Sequence, residues 1–382
     1  MSVSTMKIDK PVRRNLSFDW VNTLFLTLTP LVALIGLPIY VYYWDIPLPV
    51  FWVFAFYLAA TGLSITAGYH RYFSHRSFTA KPIVKLFFLI FGAAACQNSA
   101  LKWASDHRNH HRYVDNEGDP YNIRLGFFYA HMGWVLMRDP NKTVENARDL
   151  SEDPMVRWQH KYYIPLAIGV GGGVPLLIGF LFNAPLGCFL LAGVARTVIV
   201  HHCTFLINSL CHFMGKQPYS LKDSSRDSAL VALVTYGEGY HNFHHRFQFD
   251  YRNGVRWYHF DPSKWLIKTL EIFGLTGNLK TASEVHIFKA RLEVQKEKVQ
   301  QNLTGFSEDF RELMEKKVHA THDKLLLAYE RLGNLKKEYR LFKDSVDAKR
   351  GEMILKIKND LQKERSHFKE IYDSWALLVQ EC

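Results

Sequence analysis

Residues 162–195 read YYIPLAIGVGGGVPLLIGFLFNAPLGCFLLAGVA, which is 34 residues without one charged side chain. As a single helix they would extend about 51 Å, well past the roughly 30 Å of a bilayer's hydrocarbon core. Asn183-Ala184-Pro185 in the middle is a turn signal, so the stretch predicts two membrane spans, 162–182 and 186–210. Outward along the chain, Val21–Trp44 is free of charge for 24 residues, and Ile46–Tyr69 is free of charge after the lone Asp45. Four such neighbours, apolar all round, do not suit a soluble bundle. A cleaved leader is a poor fit too, because the first run is too long and lacks a small-residue cleavage site. The predicted fold class is an all-α membrane protein with four transmembrane helices.

Composition separates a second object from this one. Residues 1–280 hold 45 charged side chains and residues 281–382 hold 38, while all 14 prolines precede residue 263. The expected domains are therefore a membrane domain, 1–280, and a charged helical tail, 281–382. Much of the net charge of +11 flanks apolar runs. Lys7, Lys10, Arg13 and Arg14 precede the first span and Arg71, Arg76, Lys81 and Lys85 follow the second, whereas the first connection offers only Asp45. By the positive-inside rule the N-terminus, residues 70–160 and everything after 210 face the cytoplasm. Basic residues so placed read as membrane-surface anchors, not as a nucleic-acid interface. The orientation requires the shorter apolar stretch Leu86–Leu101 to dip in and return, or to lie along the interface. Cys96, Cys188, Cys203, Cys211 and Cys382 form no CxxC pair and read as reduced thiols.

The chemistry is carried by histidine, present 18 times. His70 and His75 close the second span, His107, His110 and His111 form an HxxHH set, and His241, His244 and His245 form another. On a helix, positions i, i+3 and i+4 share one face, so each triplet aims three imidazoles at one point. Asn208 and His212 add an i, i+4 pair at the end of the fourth span. Nine imidazoles exceed what one ion takes; divided into four and five they predict two adjacent metal ions. An all-imidazole set with an open position suits redox iron and O2 chemistry. Zinc hydrolysis would want the glutamate of an HExxH motif, which is absent. A metal transporter would hold its ligands near the bilayer midplane, whereas these histidines lie at or beyond span ends. His131, His160, His201, His202 and His259 show no ligand spacing and are expected to be structural.

The segments AGYHRYFSHRSF, WASDHRNHHRYVD, NSLCH and YGEGYHNFHHRFQFDY, in this order over residues 15–275, resemble the membrane-bound acyl-CoA delta-9 desaturases, the stearoyl-CoA desaturase type. The resemblance implies four membrane helices under a cytosolic cap, in the endoplasmic reticulum or a bacterial inner membrane. It implies two irons held by His70, His75, His107, His110, His111, His212, His241, His244 and His245, with Asn208 acting through water. It implies O2 as co-substrate and a cis double bond introduced into a saturated long-chain acyl-CoA. Gln97, Trp103 and Thr204 match residues that shape the bend of the acyl tunnel; Asn98, Arg124 and Trp134 match residues near its entrance. Ser105 stands where animal members have arginine, which leaves an acyl-lipid headgroup as an alternative, and hydroxylases share the same histidine boxes. Some members carry a fused cytochrome b5 domain with a His-Pro-Gly-Gly loop. No His-Pro pair occurs here, so a separate donor of the cytochrome b5 or ferredoxin type is expected.

Helix geometry adds a chain-length expectation. Gly62 lies about 12 Å and Leu58 about 18 Å before His70 along a helix. Nine carbons beyond the oxidised pair need about 11 Å. The methyl end of the substrate is thus expected at Gly62, with Leu58 as a floor. In the tail, apolar residues recur at three and four: Leu325, Tyr329, Leu332, Leu335, Tyr339, Phe342, Val346, then Met353, Ile357, Leu361, Phe368, Ile371, Trp375 and Leu378. That pattern predicts a long helix, a helical hairpin or a coiled coil, with self-association through the tail as one expected use.

Overall fold

The computed structural model describes residues 17–138, 144–343 and 350–381. Lys7, Lys10, Arg13, Arg14, Val346 and Cys382 lie outside the described residues. The chain divides into two compact units, Met1–Lys216 with Lys222–Thr281, and Gln217–Leu221 with Ala282–Cys382.

The first unit contains four helices long and apolar enough to cross a membrane: Trp20–Tyr43, Leu48–Ser74, Tyr163–Phe180 and Pro185–Phe213. Val21, Leu34 and Tyr42 of the first are largely exposed, as a lipid-facing surface would be. The connection between the third and fourth turns at Asn183, whose φ of 54° is a left-handed conformation that asparagine tolerates. The second helix is longer than the sequence reading made it. It runs on through His70 to Ser74, and its last eleven residues, Ser64–Ser74, are wound as a π-helix.

The fifth apolar stretch forms the helix Pro82–Ala94, whose 13 residues cover only about 20 Å and cannot cross. It ends in a tight reversal, with Cys96 and Asn98 at φ 58° and 74°. Ser99 then caps the next helix, Ala100–Tyr113, which carries the second histidine box. The reversal is fastened from the fourth span. Arg196, fully buried, donates to the carbonyl oxygens of Ala94 at 2.7 Å and Gly171 at 2.8 Å, and His201 Nε2 lies 2.9 Å from that of Ala95. The Ala94 and Ala95 carbonyls sit at the C-terminus of Pro82–Ala94, where a cation is favoured. Arg196 lies inside the fourth span, and its three carbonyl partners, Ala192 included, are what make it tolerable there.

The second unit consists of the helices Glu284–Asn302, Glu308–Lys343 and Arg350–Glu381. Ile357 and Leu361 pack with Leu332, Leu335 and Tyr339, whereas Trp375 packs with Met314 and Val318, so the two long helices run antiparallel. The helical hairpin, one of the forms expected from the apolar stripe, buries Leu325, Leu332, Ile357, Leu361 and Trp375 of that stripe within the unit. Trp375, almost fully buried, also donates its indole N–H to Gln295 at 2.8 Å.

Candidate metal centre

Four segments deliver nine imidazoles to one place. His70 and His75 come from the end of the second span, and their spacing of five would put them on different faces of an α-helix. The π-helical winding corrects this. The His75 N–H bonds to the His70 carbonyl at 3.2 Å, and the two rings stand 4.9 Å apart. His107, His110 and His111 lie on Ala100–Tyr113, His212 ends the fourth span, and His241, His244 and His245 lie on the short helix His241–Arg246.

The nitrogens gather into a group of five, His70, His75, His107, His111 and His244, and a group of four, His110, His212, His241 and His245, each within 4.8 Å. The boxes interleave. The i, i+4 pair His107 and His111 joins one group and sends the middle His110 to the other. The third box does the reverse, with His241 and His245 in the group of four and His244 in the group of five. Nε2 to Nε2 distances are 2.9 Å for His70–His244, 2.8 Å for His75–His107, 3.0 Å for His107–His111 and 3.1 Å for His241–His245.

The outward nitrogens show which way the protons face. Glu238 accepts from His70 Nδ1 at 2.9 Å and Asp119 from His110 Nδ1 at 2.8 Å. A carboxylate only accepts, so the proton is on Nδ1 and the Nε2 lone pair points inward. His212 Nδ1 meets Ser224 Oγ at 2.8 Å; that hydroxyl already donates to Asp115 at 2.6 Å, so this imidazole donates as well. His212 Nε2 is then left buried without a protein partner. Tyr121 OH stands 3.2 Å from His107 Nδ1, and Asp223 lies 3.9 Å from His245 Nδ1. Lone pairs converging at such distances repel one another, and cations among them remove the repulsion. The donor set therefore fits two metal ions preferring imidazole, with outward carboxylates fixing ring orientation.

Burial pushes His75, His107, His111, His241, His244 and His245 well below the ordinary imidazole range, and the neighbouring imidazoles push them further. The neutral form that binds metal is thus the form the fold prefers. Burial alone would raise Glu238, but His70 and Arg71 beside it hold its carboxyl below the usual value. Arg71 donates to Glu238 at 2.8 Å and pairs with Asp261 at 3.0 Å, all three side chains being buried. Glu238, Asp119, Tyr121, Ser224 and Asp115 were missed from sequence. The signal was there: an acid three residues before His241 and another nine after His110, in boxes otherwise read only for imidazoles.

Asn208 is half-buried one helical turn before His212. Trp103 stacks on His107 with ring centres 5.1 Å apart, and Gln97 donates to Thr204 Oγ1 at 2.9 Å, tying the reversal to the fourth span. Trp134 packs on Tyr121 at 5.0 Å, while Asn98 and Arg124 are exposed. Ser105 is buried and donates to Asn146 at 2.6 Å, so its side chain faces the protein interior. One expectation needs correcting. The room assigned to an acyl end over Gly62 is filled by the Tyr236 ring, and a Cβ there would stand 2.2 Å from it. The Tyr236 hydroxyl donates to the Leu58 carbonyl at 3.1 Å. Tyr236 arrives from far along the chain, which helix geometry of the second span alone could not reveal. The histidines read as structural do hold structure: His160 bonds Ser99 at 2.7 Å and His259 stacks on Tyr240 at 4.5 Å.

A family model described as fatty acid desaturase matches residues 47–270. The chain is similar to acyl-CoA desaturase 1 of Saccharomyces cerevisiae, 41% identical over 291 residues, 74% of this chain and 55% of that protein. It is 45% identical over 246 residues to the probable acyl-CoA desaturase of Schizosaccharomyces pombe, covering 64% of this chain and 51% of that one. It is 37% identical over 245 residues to stearoyl-CoA desaturase 5 of Bos taurus, covering 62% and 73%. The chain thus spans about half the length of the two fungal relatives.

Proposed function

This chain belongs to the fatty acid desaturase family, and we propose that it introduces a cis double bond, at delta-9, into a saturated long-chain acyl-CoA, consuming O2 and two external electrons. The observation that carries this reading is the convergence of nine inward-facing imidazole nitrogens in groups of five and four. The nine histidines would hold two irons, with Asn208 contributing through water. When bound, the irons supply O2 activation and hydrogen abstraction from adjacent methylenes.

The rest is done by the chain. Glu238 and Asp119 keep the protons of His70 and His110 on the outward nitrogens, so that the inward ones remain donors to metal. Trp103, stacked on His107, walls one side of the centre, and the Gln97–Thr204 bond fixes the reversal beside the fourth span where the acyl chain would bend. Position, more than reactivity, is what such residues contribute. Tyr236 closes the space over Gly62 and sets how much chain fits beyond the oxidised carbons. The four spans make the protein a multi-pass membrane protein; the histidine boxes and both termini face the cytoplasm, in the endoplasmic reticulum or a bacterial inner membrane. Electrons come from a carrier of the cytochrome b5 or ferredoxin type.

The test is expression in a host lacking its own delta-9 desaturase, with iron measured on the purified protein. Two irons per chain and new delta-9 unsaturated acyl groups are expected. Zinc in place of iron, or hydroxylated product, would overturn the reading.

A further inference from the structure

A depression of about 640 Å³ opens over the group of five. His75 and His111 line it, and they are the two half-buried members of that group, the other three being buried. Around them stand Arg76, Arg108, Arg112 and Arg246, and among the described residues no acidic side chain lines the depression. Behind the lining, Asp149 bonds Arg108 at 2.6 Å and also pairs with Arg76. A lining with four guanidinium groups and no carboxylate among the described residues is basic. Arg76 follows His75 directly and takes φ 50°, an uncommon conformation for a residue of its kind. None of the residues assigned to the acyl chain, from Leu58 to Thr204, lines this depression. The centre therefore has a substrate side and a second, solvent-facing side ringed by arginine.

We propose that this second side is the docking surface for an acidic one-electron carrier protein, which passes its electrons in at the His75–His111 edge. The inference rests on the di-iron desaturase reading. Each turnover takes two hydrogens from the acyl chain and, with two electrons and two protons, reduces O2 to two waters; the carrier is oxidised by one electron at each of two visits. Such encounters are small, weak and steered by charge, which is what a compact basic rim supplies. The edge also needs no conformational opening, because both histidines already reach the surface of the depression.

The test uses the full-length protein with Arg112→Glu/Arg246→Glu and Arg112→Lys/Arg246→Lys; both positions are exposed and neither belongs to the nine rings. The probes are the soluble haem domain of cytochrome b5 and a plant-type ferredoxin. Binding is measured on metal-free and iron-loaded protein against salt, and reoxidation of the reduced probe is followed by stopped flow. Wild-type binding should weaken as salt rises. The Glu pair should slow association about tenfold or more, the scale of electrostatic steering, while the Lys pair preserves it and a single turnover driven by dithionite is unchanged. Salt-independent wild-type binding, or an unaltered rate in the Glu pair, overturns the proposal. So does a Glu pair that binds the carrier normally but loses affinity for acyl-CoA or for phosphatidylserine vesicles, which would make the surface a headgroup site. Failure of the iron reading shows separately, as wild-type protein without iron; binding to the metal-free protein is scored independently of it.

Discussion

Glu238 Oε2 accepts a hydrogen bond from His70 Nδ1 at 2.9 Å, with both side chains shut off from solvent. The pair links a span-end histidine to a carboxylate from the loop before the third box. The same carboxylate neutralises Arg71, the residue after His70. A single acid thus sets the tautomer of one imidazole and compensates a buried cation next to it. Glu238→Gln should lower iron affinity by about 10–100-fold, the usual cost of losing an outer partner of a metal-bound histidine. Iron retained against a graded chelator series measures it; full retention would show that His70 needs no carboxylate.

Removing a ring has a harder consequence. His244 touches His70 and His111 at 2.9 and 3.0 Å and belongs to the group of five, while His110 belongs to the group of four. Either His→Ala substitution should abolish unsaturated product while membrane insertion is preserved. Asn208→Ala should be milder, since a contact through water can be partly replaced by another water. Lipid profiles of a complemented host, read beside membrane-fraction yield, separate these outcomes.

Chain length should answer to Tyr236. Tyr236→Ala opens the space over Gly62 and is expected to move products toward longer chains, leaving the double-bond position counted from the carboxyl end unchanged. Gly62→Phe would meet the Tyr236 ring and should cost folding yield before it alters the product profile. Gas chromatography of products from a mixed acyl pool decides it, and an unchanged distribution for Tyr236→Ala would place the end of the acyl site elsewhere.

The centre should be acid-labile. The six imidazoles depressed by burial and by one another are neutral in the fold, and their unfolded value is about 6.5. Below that value the unfolded chain binds more protons than the folded one. The stability they lend is therefore complete above about pH 6.5 and is lost as pH falls through the lowered folded values. Metal release and thermal unfolding, followed together from about pH 8 to 5, should both shift downward on the acid side; a flat profile there would contradict the assignment.

Shortening the chain after Thr281 should leave iron content unchanged, because all nine rings and the acids behind them fall in the first unit. Iron measured on the shortened protein is the check, and its loss would mean that the helical hairpin supports the centre.

The sequence by itself determined the features that depend on local pattern. Uncharged length fixed four spans, because a membrane's thickness sets how long an apolar helix must be. The HxxHH spacings put the histidines of each box on one side of its helix, but the expectation that a triplet aims at one point fails, because each box is divided between the two groups. Tertiary structure decided what sequence spacing cannot encode. The i, i+5 pair His70 and His75 meets only because the span ends in π-helical winding. The sharing of the boxes between a group of five and a group of four depends on how separate helices cross. Glu238 behind His70, Arg196 on the reversal at Ala94, and Tyr236 over Gly62 are contacts between residues about 100 or more positions apart, set by packing and not by local periodicity.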